Sequence, residues 1–185
     1  MIKTEVVLDV IDGIPLSFYS STGIFSKRKV DVGTRALLEN LVIPGRGIVA
    51  DVGCGYGPVG IFLALKNPSL KVIMLDIDPN AVKLSKKNVE INGVSSRVTV
   101  MKSDVLSAVN EKLDAIFSNP PLSKGVDFLK KFAKCANDKI KEDGFLEIVV
   151  YRGEENVKKE FSPYFPSINV IKRLKGYSII LIKKK

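Results

Sequence analysis

The sequence predicts an α/β fold with a doubly wound, mostly parallel sheet, and three observations carry that prediction. Short apolar runs alternate with helical periodicity from residue 47 to residue 161, the pattern of strands covered on both faces by crossover helices. One of those runs, Ile48-Val49-Ala50-Asp51-Val52, leads into Gly53-Cys54-Gly55-Tyr56-Gly57, and Pro58 then opens a helix. Proline suits a first helical position because its missing N–H would have no helical partner there. Two further runs close the chain around the turn dipeptide Lys175-Gly176.

The elements follow in order. Residues 4–10 and 14–20 alternate around Asp12-Gly13, a hairpin signal. Residues 31–41 read as a helix with Leu37, Leu38 and Leu41 apolar, ended by Pro44-Gly45. Strands are expected at 47–52, 71–76, 97–102, 113–118 and 144–151, with helices at 58–66, 79–91, 125–140 and 153–161. The last two strands fall at 168–172 and 177–182. Within 79–91, Ala81, Leu84, Asn88 and Ile91 share one face, while Lys83, Lys86, Lys87 and Glu90 make a solvated one. Asn92-Gly93 closes that helix with a left-handed residue. The tail Lys183-Lys184-Lys185 is expected to fray. No internal repeat, linker or low-complexity tract interrupts this order.

Composition narrows the function. A chain of 185 residues, 45% of them hydrophobic, can build one full core. No apolar run is long enough to span a membrane, and Met1-Ile2-Lys3-Thr4-Glu5 does not read as a signal peptide. Cys54 and Cys135 lack metal-ligand spacing and read as free thiols of a reducing, cytoplasmic compartment. There is no histidine, which excludes a histidine base and argues against a zinc enzyme, so no metal is expected. The net charge of +9 makes nucleic acid the first partner to consider. Candidate clusters are Lys27-Arg28-Lys29, Lys172-Arg173 with Lys175, and Lys183-Lys184-Lys185. A lysine-rich solvated surface, as in heat-adapted proteins, is the alternative.

Glycines at the strand–helix turn let a ligand approach the backbone. The spacing of Gly55, Gly57 and Gly60 is a literal G-x-G-x-x-G, alone a weak sign of a dinucleotide. Asp51, two residues before the first glycine, would repel a pyrophosphate and favour a ligand with cationic groups, such as an α-amine or a sulfonium. S-adenosylmethionine carries both. These residues resemble motif I of the class I methyltransferases, whose acidic-x-Gly-x-Gly-x-Gly turn binds the methionine end of that cofactor. The resemblance implies Asp51, Gly53, Cys54, Gly55, Tyr56 and Gly57 as cofactor residues. Asp76, with Ile77 after it, ends the second strand, where a carboxylate can accept ribose hydroxyls. Ser103 and Asp104 end the third, and an Asp there resembles the family residue that meets the adenine amino group. Asp76, Asp78 or Asp104 taken singly could each be a helix cap or turn residue.

Ser118-Asn119-Pro120-Pro121-Leu122 ends the fourth strand. It could be a plain turn. Chemically, the Asn119 side-chain oxygen and the Pro120 carbonyl can both accept from one NH2 group and aim its lone pair, and the prolines pre-set the backbone. The segment resembles motif IV, Asn/Asp-Pro-Pro-aromatic, of methyltransferases acting on planar amines, and implies Asn119, Pro120 and Pro121 as catalytic residues, with Asn119 also near the cofactor. Leu122 departs from that motif and offers no ring for a base to stack on. Phe25 and Tyr56 are candidate substitutes.

Tyr19-Ser20-Ser21-Thr22-Gly23-Ile24-Phe25-Ser26, followed by the helix from Asp31, looks like the methyltransferase small domain family, which includes enzymes making N2-methylguanosine in ribosomal RNA. Its single-domain archaeal members are more similar than the two-domain bacterial ones. The resemblance implies one domain over residues 1–185, a hairpin and helix at 1–43 and a cofactor-binding catalytic core at 44–185. It implies a Rossmann-like sheet of seven strands with a C-terminal antiparallel hairpin. The implied activity is S-adenosylmethionine-dependent methylation of an exocyclic amine, foremost guanine N2 of ribosomal or transfer RNA. Phe25, Lys27, Arg28, Lys29 and Leu122 would lie on the substrate side. Methylation of a protein glutamine or small-molecule amine, a non-catalytic RNA-binding or assembly module, and a dinucleotide oxidoreductase are the alternatives.

Overall fold

The computed structural model describes residues 4–21, 29–121 and 125–185. Phe25, Lys27, Arg28 and Leu122 lie outside them. The N-terminal strands β1 (Thr4–Ile11) and β2 (Ile14–Ser21) form an antiparallel hairpin and precede α1 (Val32–Leu38). Then come β3 (Gly47–Val52), α2 (Pro58–Lys66), β4 (Leu70–Asp76), α3 (Pro79–Ile91) and β5 (Val98–Lys102). The chain continues through β6 (Leu113–Ser118), α4 (Gly125–Lys139), β7 (Ile140–Tyr151) and α5 (Glu154–Phe161) to the hairpin β8 (Ser167–Leu174) and β9 (Tyr177–Lys183).

The main sheet has seven strands in the order β5-β4-β3-β6-β7-β9-β8. Its first five strands are parallel, and β9 runs antiparallel to both neighbours. The chain leaves β3 toward β4 and β5, then returns to β6 on the other side. The ends of β3 and β6 are therefore a topological switch point, where ligands settle in open α/β sheets. Side chains from α1, α2, α3 and the hairpin build the core on one face of the sheet, and α4 and α5 build it on the other. Helix α2 is buried from Pro58 through Ala64 because the sheet covers one side of it and the hairpin the other, which is why its apolar residues show no single stripe.

The hairpin is docked by two side-chain amides. Asn88 Oδ1 accepts from the Tyr19 N–H at 2.7 Å, and its Nδ2 donates to the carbonyls of Tyr19 (3.0 Å) and Tyr56 (2.7 Å). One helical turn on, Asn92 Oδ1 accepts from the Ser17 N–H (3.2 Å) and its Nδ2 donates to the Ser17 carbonyl (2.7 Å). Four residues of helix rise about 6 Å and two residues of strand about 6.7 Å. The two amides thus meet alternate peptides of β2 as a neighbouring strand would. This docking corrects the expected face of α3. The buried residues are Val82, Ser85, Asn88 and Val89; Ala81 and Leu84 sit at the border and Ile91 is exposed. Polar Ser85 and Asn88 face inward because they bond backbone.

Two boundaries also shift. Helix α1 ends at Leu38, since the Asn40 N–H bonds the Leu37 carbonyl and turns the chain. Strand β7 begins at Ile140, where it pairs with Leu113 ahead of a register shift. The C-terminal lysines are held: Lys184 donates to the Asn137 carbonyl at 3.0 Å and, with Lys185, pairs with Glu142.

Asn88→Ala removes one buried and two partly buried hydrogen bonds and takes away the side chain that their backbone partners meet. It is expected to lower stability by about 3 kcal/mol, measured by urea denaturation. An unchanged midpoint would mean that apolar contacts alone hold the hairpin.

Candidate active site

The carboxyl ends of β3, β4, β5 and β6 meet around the glycine turn. The Gly53 and Cys54 N–H groups donate to the Leu75 carbonyl at 2.8 and 2.9 Å, which ties the turn to the end of β4. The glycines divide into two kinds. Gly53 and Gly55 have φ of +71° and +58°, and a Cβ on either would meet nothing within 4 Å. Gly57 and Gly60 lie against Met74, where a Cβ would approach to 2.8 and 2.4 Å. The first pair leaves a cradle open over the backbone. The second pair lets α2 pack on β4.

Beneath this turn Asp51 is only 1% exposed. Its Oδ2 accepts from the Gly60 N–H at 2.9 Å. Burial is the main reason its pKa is pushed up to about 7; the Gly60 bond opposes the shift and the nearby Asp76 carboxylate adds to it. Asp76 reaches back to the turn: Oδ2 accepts from the Gly55 N–H (2.9 Å) and Oδ1 from the Asp78 N–H (3.0 Å). Asp78 itself caps α3 through the Asn80 N–H. Ile77 stands 46% exposed beside them.

Ser103 is buried, and its hydroxyl closes the loop after β5 by donating to the Val105 carbonyl (3.0 Å) and accepting from the Ala108 N–H (3.1 Å). Asp104 is half-exposed and paired with Lys131. Cys54 is buried with its sulfur 3.6 Å from the Ser85 hydroxyl, which donates to the Gly55 carbonyl at 2.6 Å. Both cysteines are free thiols. Tyr56 is not presented as a stacking platform: its ring is buried, edge-on to Phe18 at 5.1 Å. Burial pushes its hydroxyl pKa upward.

Across the switch point, the Ser118 hydroxyl donates to the Val52 carbonyl at 2.7 Å and pins β6 to β3. Asn119 follows, and its Nδ2 donates to the hydroxyl of Thr34 at 3.1 Å. Thr34 is 4% exposed, and its N–H is accepted by Asp31, the cap of α1. Arg35 then pairs with buried Asp9 of β1, so the hairpin anchors the helix that meets Asn119. Pro120 is buried and Pro121 half-buried. Behind α1, Glu147 of β7 accepts from the Val42 N–H at 2.7 Å, while its Oε1 finds no donor among the described residues. Burial pushes this carboxyl up to about 7 as well.

The structure brings the sequence candidates Asp51, Asp76, Asn119 and the glycines to one rim of the sheet, beside Thr34, Ser85, Ser118 and Glu147, which the sequence does not single out. The spacing of Asp31 and Thr34 signals a helix cap. Nothing local says that Thr34 will meet a residue 85 positions away. Of the basic candidates, Arg173 is bound to Glu154 through two nitrogens. Lys29, Lys172 and Lys175 are exposed. Lys183 ends β9 and, with Lys184 and Lys185 after it, lies at the amino-end rim of the parallel strands, where it pairs with Phe145 of β7. The described residues contain no cluster of metal-ligating side chains and no helix long and apolar enough to cross a membrane.

The cradle, the acidic strand ends and the sheet order define a Rossmann-like methyltransferase fold, and its open glycines, buried Asp51 and half-buried Asp76 fit a cofactor with cationic and ribose groups. The sequence pattern of the methyltransferase small domain family matches residues 15–181. The chain belongs to that family, and with it come methyl transfer and S-adenosylmethionine as the methyl donor. An uncharacterized protein of Bacillus subtilis, YbxB, is 34% identical over 173 residues, covering 91% of this chain and 86% of its own. The ribosomal RNA small subunit methyltransferase C of Colwellia psychrerythraea is 32% identical over 177 residues, covering 91% of this chain and 48% of its own. Among solved structures, a 16S rRNA N2 methyltransferase of T. thermophilus, in complex with AdoMet and guanosine, has a TM-score of 0.81 at 24% identity and covers 98% of this chain and 51% of its own. The chain thus spans about half the length of these two RNA methyltransferases.

The two raised carboxyls set a pH dependence. Asp51 and Glu147 ionise near 4 when unfolded and near 7 when folded. Between those values the folded chain binds more protons, so stability falls as pH rises. The cofactor-free protein should have a lower urea midpoint at about pH 8 than at about pH 5.5, and Asp51→Asn with Glu147→Gln should flatten the difference. A midpoint that rises over this range would refute the assignment.

Proposed function

We propose that the chain methylates an exocyclic amine of RNA, guanine N2, with small-subunit ribosomal RNA as the leading substrate. One observation carries the reading: Asn119, at the switch point beside the open glycine turn, is oriented by Thr34. With Nδ2 engaged by the Thr34 hydroxyl, the side-chain oxygen and the Pro120 carbonyl are the acceptors for the two amine hydrogens. Pro121 holds that carbonyl by fixing its own φ. The bound cofactor supplies an electrophilic methyl group. Asp51 would face its cationic methionine end and Asp76 its ribose. Ile77 and Ser103 would flank the adenine, with Asp104 shared between Lys131 and the adenine amine. Catalysis is then mainly positioning, and the proton leaves after attack. The target base must be single-stranded or flipped out to reach Asn119. The two free thiols are in keeping with work in the cytoplasm.

The test is to incubate the protein with tritiated S-adenosylmethionine and small-subunit ribosomal RNA lacking the modification, then digest and identify the labelled nucleoside. N2-methylguanosine is expected. Label in a protein glutamine, or in a different nucleoside, would overturn the substrate.

Asn119→Ala should slow single-turnover methylation about a hundredfold to a thousandfold while cofactor affinity changes less than about fivefold. Asn119→Asp, which keeps an acceptor, should retain more activity than Ala. Wild-type rates in Asn119→Ala would reduce the Asn-Pro-Pro segment to a turn. Thr34→Val keeps the shape of the buried side chain but removes the acceptor. It should slow methylation about tenfold at unchanged cofactor affinity, with Thr34→Ser restoring most of the rate. A full rate in Thr34→Val would show that Asn119 needs no orienting partner.

A further inference from the structure

Strand β7 runs past the end of β6. Ser118 pairs with Ile148, so Asn119 lies level with Val149 and Tyr151 two residues beyond. Tyr151 pairs with Tyr177 of β9, and Tyr177 pairs with Leu174 of β8. Tyr151, Tyr177 and Leu174 therefore form one row across three strands at the carboxyl rim. The row stands on the sheet face that α1 covers, since Val149 and Ile179 below it join that core, and Tyr177 packs against Gly33 beside Thr34. One strand over and two residues up places Tyr151 about 8 Å from Asn119, Cα to Cα.

The row is built to keep an aromatic surface at this rim. The Tyr151 and Tyr177 rings lie 5.1 Å apart at 59°. Gly176 leaves room for Tyr151, because a Cβ there would come within 2.6 Å of the ring. Arg152 takes φ of +50°, an unusual conformation for a residue with a side chain, and its guanidinium sits over the Tyr151 ring at 5.1 Å. Even so, Tyr151 is 45% exposed. A groove of about 350 Å³ adjoins the row between the start of α1 and the β8–β9 turn, lined by Lys29, Val32, Leu174 and Lys175 among others. Its two acids are engaged: Asp31 caps α1, and Glu39 pairs with Arg35. No ion pair among the described residues involves Lys29, Arg152, Lys172 or Lys175.

We infer that this rim is the seat of the single-stranded RNA that flanks the target nucleotide. Tyr151 and Tyr177 stack a base next to the one held at Asn119, and Lys29, Arg152, Lys172 and Lys175 follow the phosphates. An exposed tyrosine ring, backed by a second, within a border of cations that have no ion-pair partner among the described residues is what single-stranded nucleic acid requires, because every base has a π face and every phosphate a charge. The assignment rests on the RNA reading above.

The test uses the full chain and a short fluorescein-labelled single-stranded RNA with one guanine, followed by anisotropy over a range of salt. Tyr151→Ala should weaken binding about tenfold to a hundredfold, and Tyr151→Phe should bind as the wild type does. Lys172→Ala with Lys175→Ala should make the slope of log affinity against log salt shallower by about 0.7 for each phosphate that these lysines neutralise. S-adenosylmethionine affinity, by calorimetry, should stay the same and reports that each variant is folded. If Tyr151→Ala does not fold, the lysine pair decides. Wild-type affinity and slope in these variants, in a protein that still labels guanine, would overturn the rim assignment alone. A wild-type chain with no affinity for the RNA would overturn both the rim and the RNA substrate.

Discussion

A carboxylate buried beneath a glycine turn governs this molecule. Asp51 accepts the Gly60 N–H and so fixes the start of α2 against the end of β3. Gly60 must lack a side chain for this, because Met74 occupies the space a Cβ would need. The cradle of Gly53 and Gly55 then has its shape set from below by Asp51 and from the side by Asp76, whose carboxylate accepts the Gly55 N–H. Burial, with the Asp76 carboxylate nearby, holds the Asp51 carboxyl above its ordinary range, and a cationic ligand favours its charged form. The same arrangement that constrains the backbone therefore selects the charge of what can bind above it.

The N-terminal segment completes the site from outside the sheet. Its hairpin is held on α3 by Asn88 and Asn92, which pair with β2 as a strand would. Asp9 of that hairpin holds Arg35 of α1, and α1 brings the Thr34 hydroxyl to Asn119. Glu147 secures the chain that follows α1 through the Val42 N–H. A continuous set of buried polar contacts thus runs from the hairpin to the residue proposed to orient the amine. Each member bonds backbone or a buried partner, so the arrangement has little freedom to drift.

Charge is distributed with a purpose that its total does not show. Arg173, Lys131, Lys141 and Lys184 are engaged with Glu154, Asp104, Asp114 and Glu142, and exposed pairs of this kind add little stability. The cations at the carboxyl rim, which have no such partners among the described residues, stand beside exposed tyrosine. The lysines at the end of β9 are at the opposite, amino-end rim of the sheet. Among the described residues, the carboxyl-rim cations stand beside the proposed seat of the RNA strand.

The local chemistry of this protein was legible in its amino-acid sequence. Apolar runs at two-residue and helical periods marked the strands and helices, the glycine turn marked an open stretch of backbone, and Asp51, Asp76 and the Asn119-Pro120-Pro121 segment marked strand ends that the fold gathers at one rim. These are features of neighbouring residues, where backbone geometry and polarity act over a few positions. What only the tertiary structure decided were the meetings between distant segments. Asn88 looked like part of an ordinary helix face and proved to be a dock for β2. Thr34 looked like the first turn of a helix and proved to be the partner of Asn119. Tyr56 faced inward once Phe18 was packed against it, and Tyr151 gained its place at the rim from the register of β6, β7 and β9. Register and crossover direction depend on how the whole sheet buries its apolar faces at once, and no single window of sequence contains that sum.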